Sequence, residues 1–138
     1  CGLIIAAKVM GLDWKFTGVT VNYDVPLEGY VFDHNKDIQE VLDLTVTFEK
    51  SDMRVLDQYI GEGYGVMTSE VAEAIHIAAQ TDAIILDPNY TGTTMAALID
   101  QVEQGGFDND ETVIFIHTGG LPAVFTFAEQ LANFKQQS

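Results

Sequence analysis

Four short apolar runs, rich in β-branched residues, alternate along this chain with longer stretches of helical period, and this alternation constrains the fold more than any other feature. Residues 16–22 (Phe-Thr-Gly-Val-Thr-Val-Asn), 53–60, 83–86 and 112–117 have strand character. Helical period marks residues 2–11, closed by Gly11, and residues 35–50, where Ile38, Val41, Leu42, Thr45 and Phe48 share a face. A third helix is capped by Thr68 or Ser69, with Val71, Ile75, Ala78 and Ala79 inward. Two more cover residues 93–104, with Met95, Leu98, Ile99 and Val102 inward, and residues 121–134. Residues 24–33, with Pro26 and Gly29, read as a loop. Strands separated by helices of this length pair in parallel and are covered on both faces. The expectation is one α/β domain over residues 1–138, three layers deep, with a mostly parallel four-stranded sheet and helices on both faces. Such a layout starts with a strand, so the opening helix implies that something precedes Cys1.

Ligands of open α/β sheets bind where strands hand over to helices. Three handovers stand out. Val113-Ile-Phe-Ile-His117 runs into Thr118-Gly119-Gly120 and then an apolar helix pattern. Asp87-Pro88-Asn89-Tyr90-Thr91-Gly92 and Gly61-Glu62-Gly63-Tyr64-Gly65 are the other two. Each carries Gly with Tyr or Thr, and together they read as three walls of one small-molecule site. The formal charge of −15 argues against nucleic acid or an anionic membrane as partner. An anionic ligand would need backbone amides or a basic group supplied from elsewhere. No apolar run approaches the ~18 residues of a membrane span. The single Cys1 excludes an internal disulfide and suits a reducing cytoplasm.

The Gly61-x-Gly63-x-Gly65 cluster, with Asp87 at the next strand tip, superficially matches a dinucleotide fingerprint. The third glycine comes one place early, and Pro88 would constrain a ribose partner at Asp87, so plain turn glycines are the simpler reading. A dinucleotide-binding module using Gly61–Gly65 and a non-catalytic α/β interaction domain stay open as alternatives. His34 and His76 have no second ligand at metal spacing and read as solvated or structural. His117, beside Thr118, is placed to shape the site through a hydrogen bond. No metal site is expected.

In order and spacing, Glu62-Gly63-Tyr64-Gly65, Leu86-Asp87-Pro88-Asn89-Tyr90-Thr91-Gly92 and Phe115-Ile-His117-Thr118-Gly119-Gly120-Leu-Pro-Ala-Val-Phe125 resemble the C-terminal portion of the D-cysteine desulfhydrase and aminocyclopropane-carboxylate deaminase family. These are pyridoxal-phosphate enzymes of the tryptophan-synthase β fold type, also called fold type II. The resemblance implies that the chain is the C-terminal segment of the cofactor-binding large domain. It places Thr118 near the pyridine nitrogen, with Gly119, Gly120 and Thr91 also at the cofactor, and Tyr64 and Tyr90 facing substrate as catalytic residues. A Thr hydroxyl can hydrogen-bond a neutral pyridine nitrogen without protonating it, and a Tyr can orient a carboxylate or transfer a proton. Within the family a Glu after the second Tyr marks the deaminase side; here Thr91 stands there, and His117-Thr118 likewise favours the desulfhydrase side. The implied activity is elimination of a small group from a small amino acid, giving ammonia and a 2-oxo acid, by a cytoplasmic homodimer. The resemblance also places the Schiff-base lysine and the phosphate loop upstream of Cys1, so the 138-residue chain alone is expected to be inactive.

Overall fold

A computed structural model describes residues 1–22 and 26–134. The chain forms two compact units, Cys1–Asp57 and Gln58–Ser138.

In the first unit, α1 (Gly2–Met10) is closed by Gly11 in the left-handed conformation, as its sequence indicates. Strands β1 (Phe16–Val19) and β2 (Met53–Leu56) pair in parallel, Phe16 opposite Met53 and Val19 opposite Leu56. Helix α2 (Leu27–Val41) forms the crossover between them. Ile4, Ile5, Val31 and Phe48 make the core, with Phe16, Leu27, Ile38, Leu44, Val46 and Met53 packed around it. Burial of Phe48 alone contributes roughly 1.5–3 kcal/mol. Lys8 pairs with Asp52 at 2.6 Å. Burial pushes the Asp52 carboxyl up, but the Glu49 amide and the Lys8 ammonium outweigh it and hold the group below its ordinary value.

This unit corrects two expectations. Residues 26–33 were expected in a loop, yet Pro26 stands immediately before the first helical residue, a position where its missing N–H costs nothing. Residues 24 and 25 of that loop lie outside the described residues. The helix expected over residues 35–50 ends at Val41, and Asp43 follows at a φ of 50°. Beyond it Leu44, Val46 and Phe48 turn inward at every second position, the period of extended chain. The Gln39 side-chain amide secures that stretch, donating to the carbonyls of Leu44 and Val46.

The second unit is built on α3 (Ser69–Asp82), α4 (Thr91–Glu103) and α5 (Ala128–Asn133), the last preceded by a 3-10 turn over Leu121–Phe127. The Thr68 hydroxyl caps α3 by accepting from the Val71 amide at 3.3 Å. Val71, Ala72, Ala74, Ile75, Ala78, Leu86, Ala96 and Leu131 form the core. Helix α4 approaches α3 closely because residue 92 has no side chain: a Cβ there would stand 2.6 Å from the Asp87 carbonyl and 3.1 Å from Ile75 Cδ1. His76 reaches the Leu131 carbonyl at 3.1 Å and stacks on Phe134, while His34 bonds the Tyr30 carbonyl, so both have structural partners.

Among the described residues the sheet has two strands, not the four expected. The capping geometry of α3 takes up the start of residues 83–86, since Ala83 adopts a φ of 55° and the Ile84 amide bonds back to Ala78. Residues 112–117 send Phe115 toward the core and leave Val113, Ile114 and Ile116 exposed. The two segments meet through the His117 ring on the Ile85 carbonyl instead of a backbone ladder. The helix expected over residues 121–134 is a 3-10 turn over Leu121–Phe127 and becomes α-helical only from Ala128. No helix among the described residues is long and apolar enough to cross a membrane.

Candidate functional site

The second unit brings Tyr90, Thr91 and Gly120 around one carboxylate. Asp87 is fully buried, and its oxygens accept from the amides of Asn89, Tyr90 and Thr91, each at 2.9 Å, and from the Thr91 hydroxyl at 2.7 Å. In return the Asp87 amide donates to the Thr91 hydroxyl at 2.8 Å. A buried charge without a cation needs such donors, and the amides at the start of α4 are the ones a helix leaves unpaired. Burial pushes the Asp87 carboxyl up, yet the bonds from Thr91, Tyr90 and Asn89 outweigh it and leave the group below its ordinary value. Asp87 therefore fixes the backbone of Tyr90 and Thr91. Thr91 itself is buried, its hydroxyl committed to Asp87.

The Tyr90 hydroxyl meets that of Tyr64 at 2.6 Å, with the rings tilted at 60° and their centroids 6.0 Å apart. Both side chains are exposed. Tyr64 belongs to a turn in which Gly61, Gly63 and Gly65 all take positive φ, as turn glycines do. Its phenol is pushed above the ordinary value, first by the bond to Tyr90, then by desolvation and by the negative charge of Asp87. The proton between the two oxygens can be shared or passed, and either oxygen can receive a polar group from solvent.

The third wall is the Thr118-Gly119-Gly120 turn. Gly120, at a φ of 90°, lies against the Asp87 side chain, and a Cβ on it would stand 2.5 Å from Oδ1. Only glycine fits there. The Gly119 amide donates to His117 Nδ1 at 3.2 Å, and His117 Nε2 lies 2.9 Å from the Ile85 carbonyl. Thr118 is exposed, and its hydroxyl has no hydrogen bond among the described residues. A free hydroxyl beside open glycine backbone suits the ring-nitrogen end of pyridoxal phosphate. Its phosphate and aldehyde call for cationic and amine groups, and residues 58–134 contain no Lys or Arg.

The sequence motifs thus come together in part: Tyr64 with Tyr90, and Gly120 with Asp87. Sequence reasoning missed the role of Asp87, whose carboxylate accepts the amides at the start of α4 from a position before the N-cap residue Tyr90. Buried and occupied by its own chain, Asp87 is not available to a ribose hydroxyl, which removes the support for a dinucleotide module.

Comparison with known proteins agrees. Residues 1–119 match the family model described as pyridoxal-phosphate dependent enzyme. D-cysteine desulfhydrases of Salmonella paratyphi C (strain RKS4594) and Salmonella choleraesuis (strain SC-B67) are each 37% identical over 127 residues, covering 91% of this chain and 38% of the relative. The chain thus spans well under half the length of these relatives. A crystal structure of an ACC deaminase homologue superposes with a TM-score of 0.81 at 28% identity, over 97% of this chain and 40% of that one. The matched segment holds all three walls of the site except the last glycine of the Thr118 turn, and the chain belongs to the pyridoxal-phosphate dependent enzyme family.

Proposed function

We propose that this chain forms the ring-binding and substrate-facing part of a pyridoxal-phosphate lyase of the D-cysteine desulfhydrase kind. The observation that carries the reading is the exposed Tyr64–Tyr90 hydroxyl pair, with the Tyr90 backbone bonded to Asp87, the same carboxylate that packs on Gly120 of the turn carrying Thr118. When bound, the cofactor supplies an electron-withdrawing ring that makes the α-proton of an amino acid removable. Thr118 would donate to the ring nitrogen without protonating it, and the open backbone at Gly119 would let the ring approach, while Gly120 fixes the turn against Asp87. Tyr64 and Tyr90 orient the substrate carboxylate or carry a proton through their shared hydrogen bond. Thr91 serves the cofactor side by locking Asp87, and a Thr instead of an acid at that position favours the desulfhydrase over the deaminase reaction.

For D-cysteine the balance is one water consumed, with hydrogen sulfide, ammonia and pyruvate released. The Schiff-base lysine and the phosphate loop come, on this reading, from sequence outside these 138 residues: the chain spans 38% of its D-cysteine desulfhydrase relatives, and residues 58–134, which carry the candidate site, contain no Lys or Arg. The working enzyme is a homodimer acting on a small amino acid in the cytoplasm, a compartment the lone Cys1 suits. The test is the full-length protein loaded with pyridoxal phosphate and given D-cysteine. Sulfide, ammonia and pyruvate should appear in equal amounts. Ammonia and a 2-oxo acid from aminocyclopropane carboxylate, with D-cysteine untouched, would sink the desulfhydrase reading.

A further inference from the structure

The two ring nitrogens of His117 make hydrogen bonds of opposite sense. A backbone amide only donates, so Nδ1, 3.2 Å from the Gly119 nitrogen, must present a lone pair. A backbone carbonyl only accepts, so Nε2, 2.9 Å from the Ile85 oxygen, must carry the proton. The neutral ring protonated on Nε2 is the one state that meets both demands. Thr118 is the single residue between His117 and Gly119, so the ring closes a short loop around it. The far end of the same turn, Gly120, rests on Asp87, two residues beyond Ile85. Both ends of the Thr118 turn are therefore tied to one three-residue segment. His117 is exposed, so core packing does not account for its place.

We propose that His117 is a positioning residue whose neutral ring sets the direction of the Thr118 hydroxyl; this rests on the proposed placement of Thr118 at the cofactor ring. The Nδ1 bond to Gly119 matters most, because it constrains the peptide that follows Thr118.

Two substitutions in the full-length holoenzyme separate the bonds. In His117→Asn the amide oxygen takes the place of Nδ1 and can accept from Gly119, but the side chain is too short for Ile85. In His117→Gln the amide nitrogen reaches the Ile85 carbonyl, and nothing stands at Nδ1. His117→Asn should keep the visible absorption band of the bound cofactor and most of the turnover. His117→Gln should shift the band and lower kcat on the order of tenfold to a hundredfold, with KM little changed. His117→Gln matching an active wild type in band and kcat overturns the positioning role alone. A wild-type protein that forms no cofactor band overturns the reading beneath it. If either variant fails to fold, nitrogen-15 spectra of the wild-type ring decide: a proton on Nε2 upholds the proposal, and a proton on Nδ1 overturns it.

Discussion

Gly120 lies against the Asp87 side chain so closely that a Cβ would stand 2.5 Å from the carboxylate carbon and from Oδ1. The neighbouring Gly119 also has positive φ, but its Cβ would meet nothing within 4 Å. The two glycines therefore separate conformational strain from steric clash. Gly119→Ala should cost about 1 kcal/mol, the strain of a left-handed alanine. Gly120→Ala should cost about 2–4 kcal/mol, because overpacking against an immobile carboxylate adds to the same strain. Urea unfolding of both variants measures the difference, and equal losses would mean the contact with Asp87 is not made.

Asp87 also sets an acid limit to stability. Its carboxyl lies below the ordinary value because backbone and Thr91 donors outweigh burial. A depressed folded-state pKa means that the stabilisation is fully present above the unfolded value of about 3.9 and is lost as pH falls through the folded value. Asp87→Asn, which puts an amide against three backbone donors, should cost about 1–3 kcal/mol at neutral pH and flatten the low-pH loss. Unfolding midpoints followed from neutral pH downward test this; a variant as acid-sensitive as the wild type would contradict it.

For the tyrosine pair the sign is opposite. The Tyr64 phenol is raised mainly by its bond to Tyr90, so the neutral form is favoured, and what the bond contributes is lost as pH rises through the raised value. Tyr90→Phe should let Tyr64 ionise at lower pH, visible as phenolate absorbance appearing earlier in an alkaline titration. In the full-length enzyme Tyr64→Phe and Tyr90→Phe should each lower kcat/KM by about a hundredfold if the pair moves a proton. Losses confined to KM would assign the pair to binding alone.

What the sequence discloses and what it hides divide along physical lines. Gly11 and Thr68 bound α1 and α3, signals written in single residues at fixed places. Phe48 misled because it fits both periods: it continues the helical face of Ile38 and Val41, yet it packs as the third member of an alternating Leu44, Val46, Phe48 set. Residues 112–117 have strand composition, but pairing depends on a neighbour, and Ile84 and Asp87 have given their amides to Ala78 and Thr91. The blocks around Tyr64, Tyr90 and Thr118 could be read from their order. The organising part of Asp87 could not, because the same acid at a strand tip also suits a ribose.

The proposed bond from the Thr118 hydroxyl to the ring nitrogen of pyridoxal phosphate is best probed by Thr118→Ala in the full-length holoenzyme. Thr118 is exposed, so the substitution should leave the unfolding midpoint within about 0.5 kcal/mol of wild type. The expected result is a displaced cofactor absorption band together with reduced release of sulfide from D-cysteine. An unchanged band with wild-type turnover would contradict it.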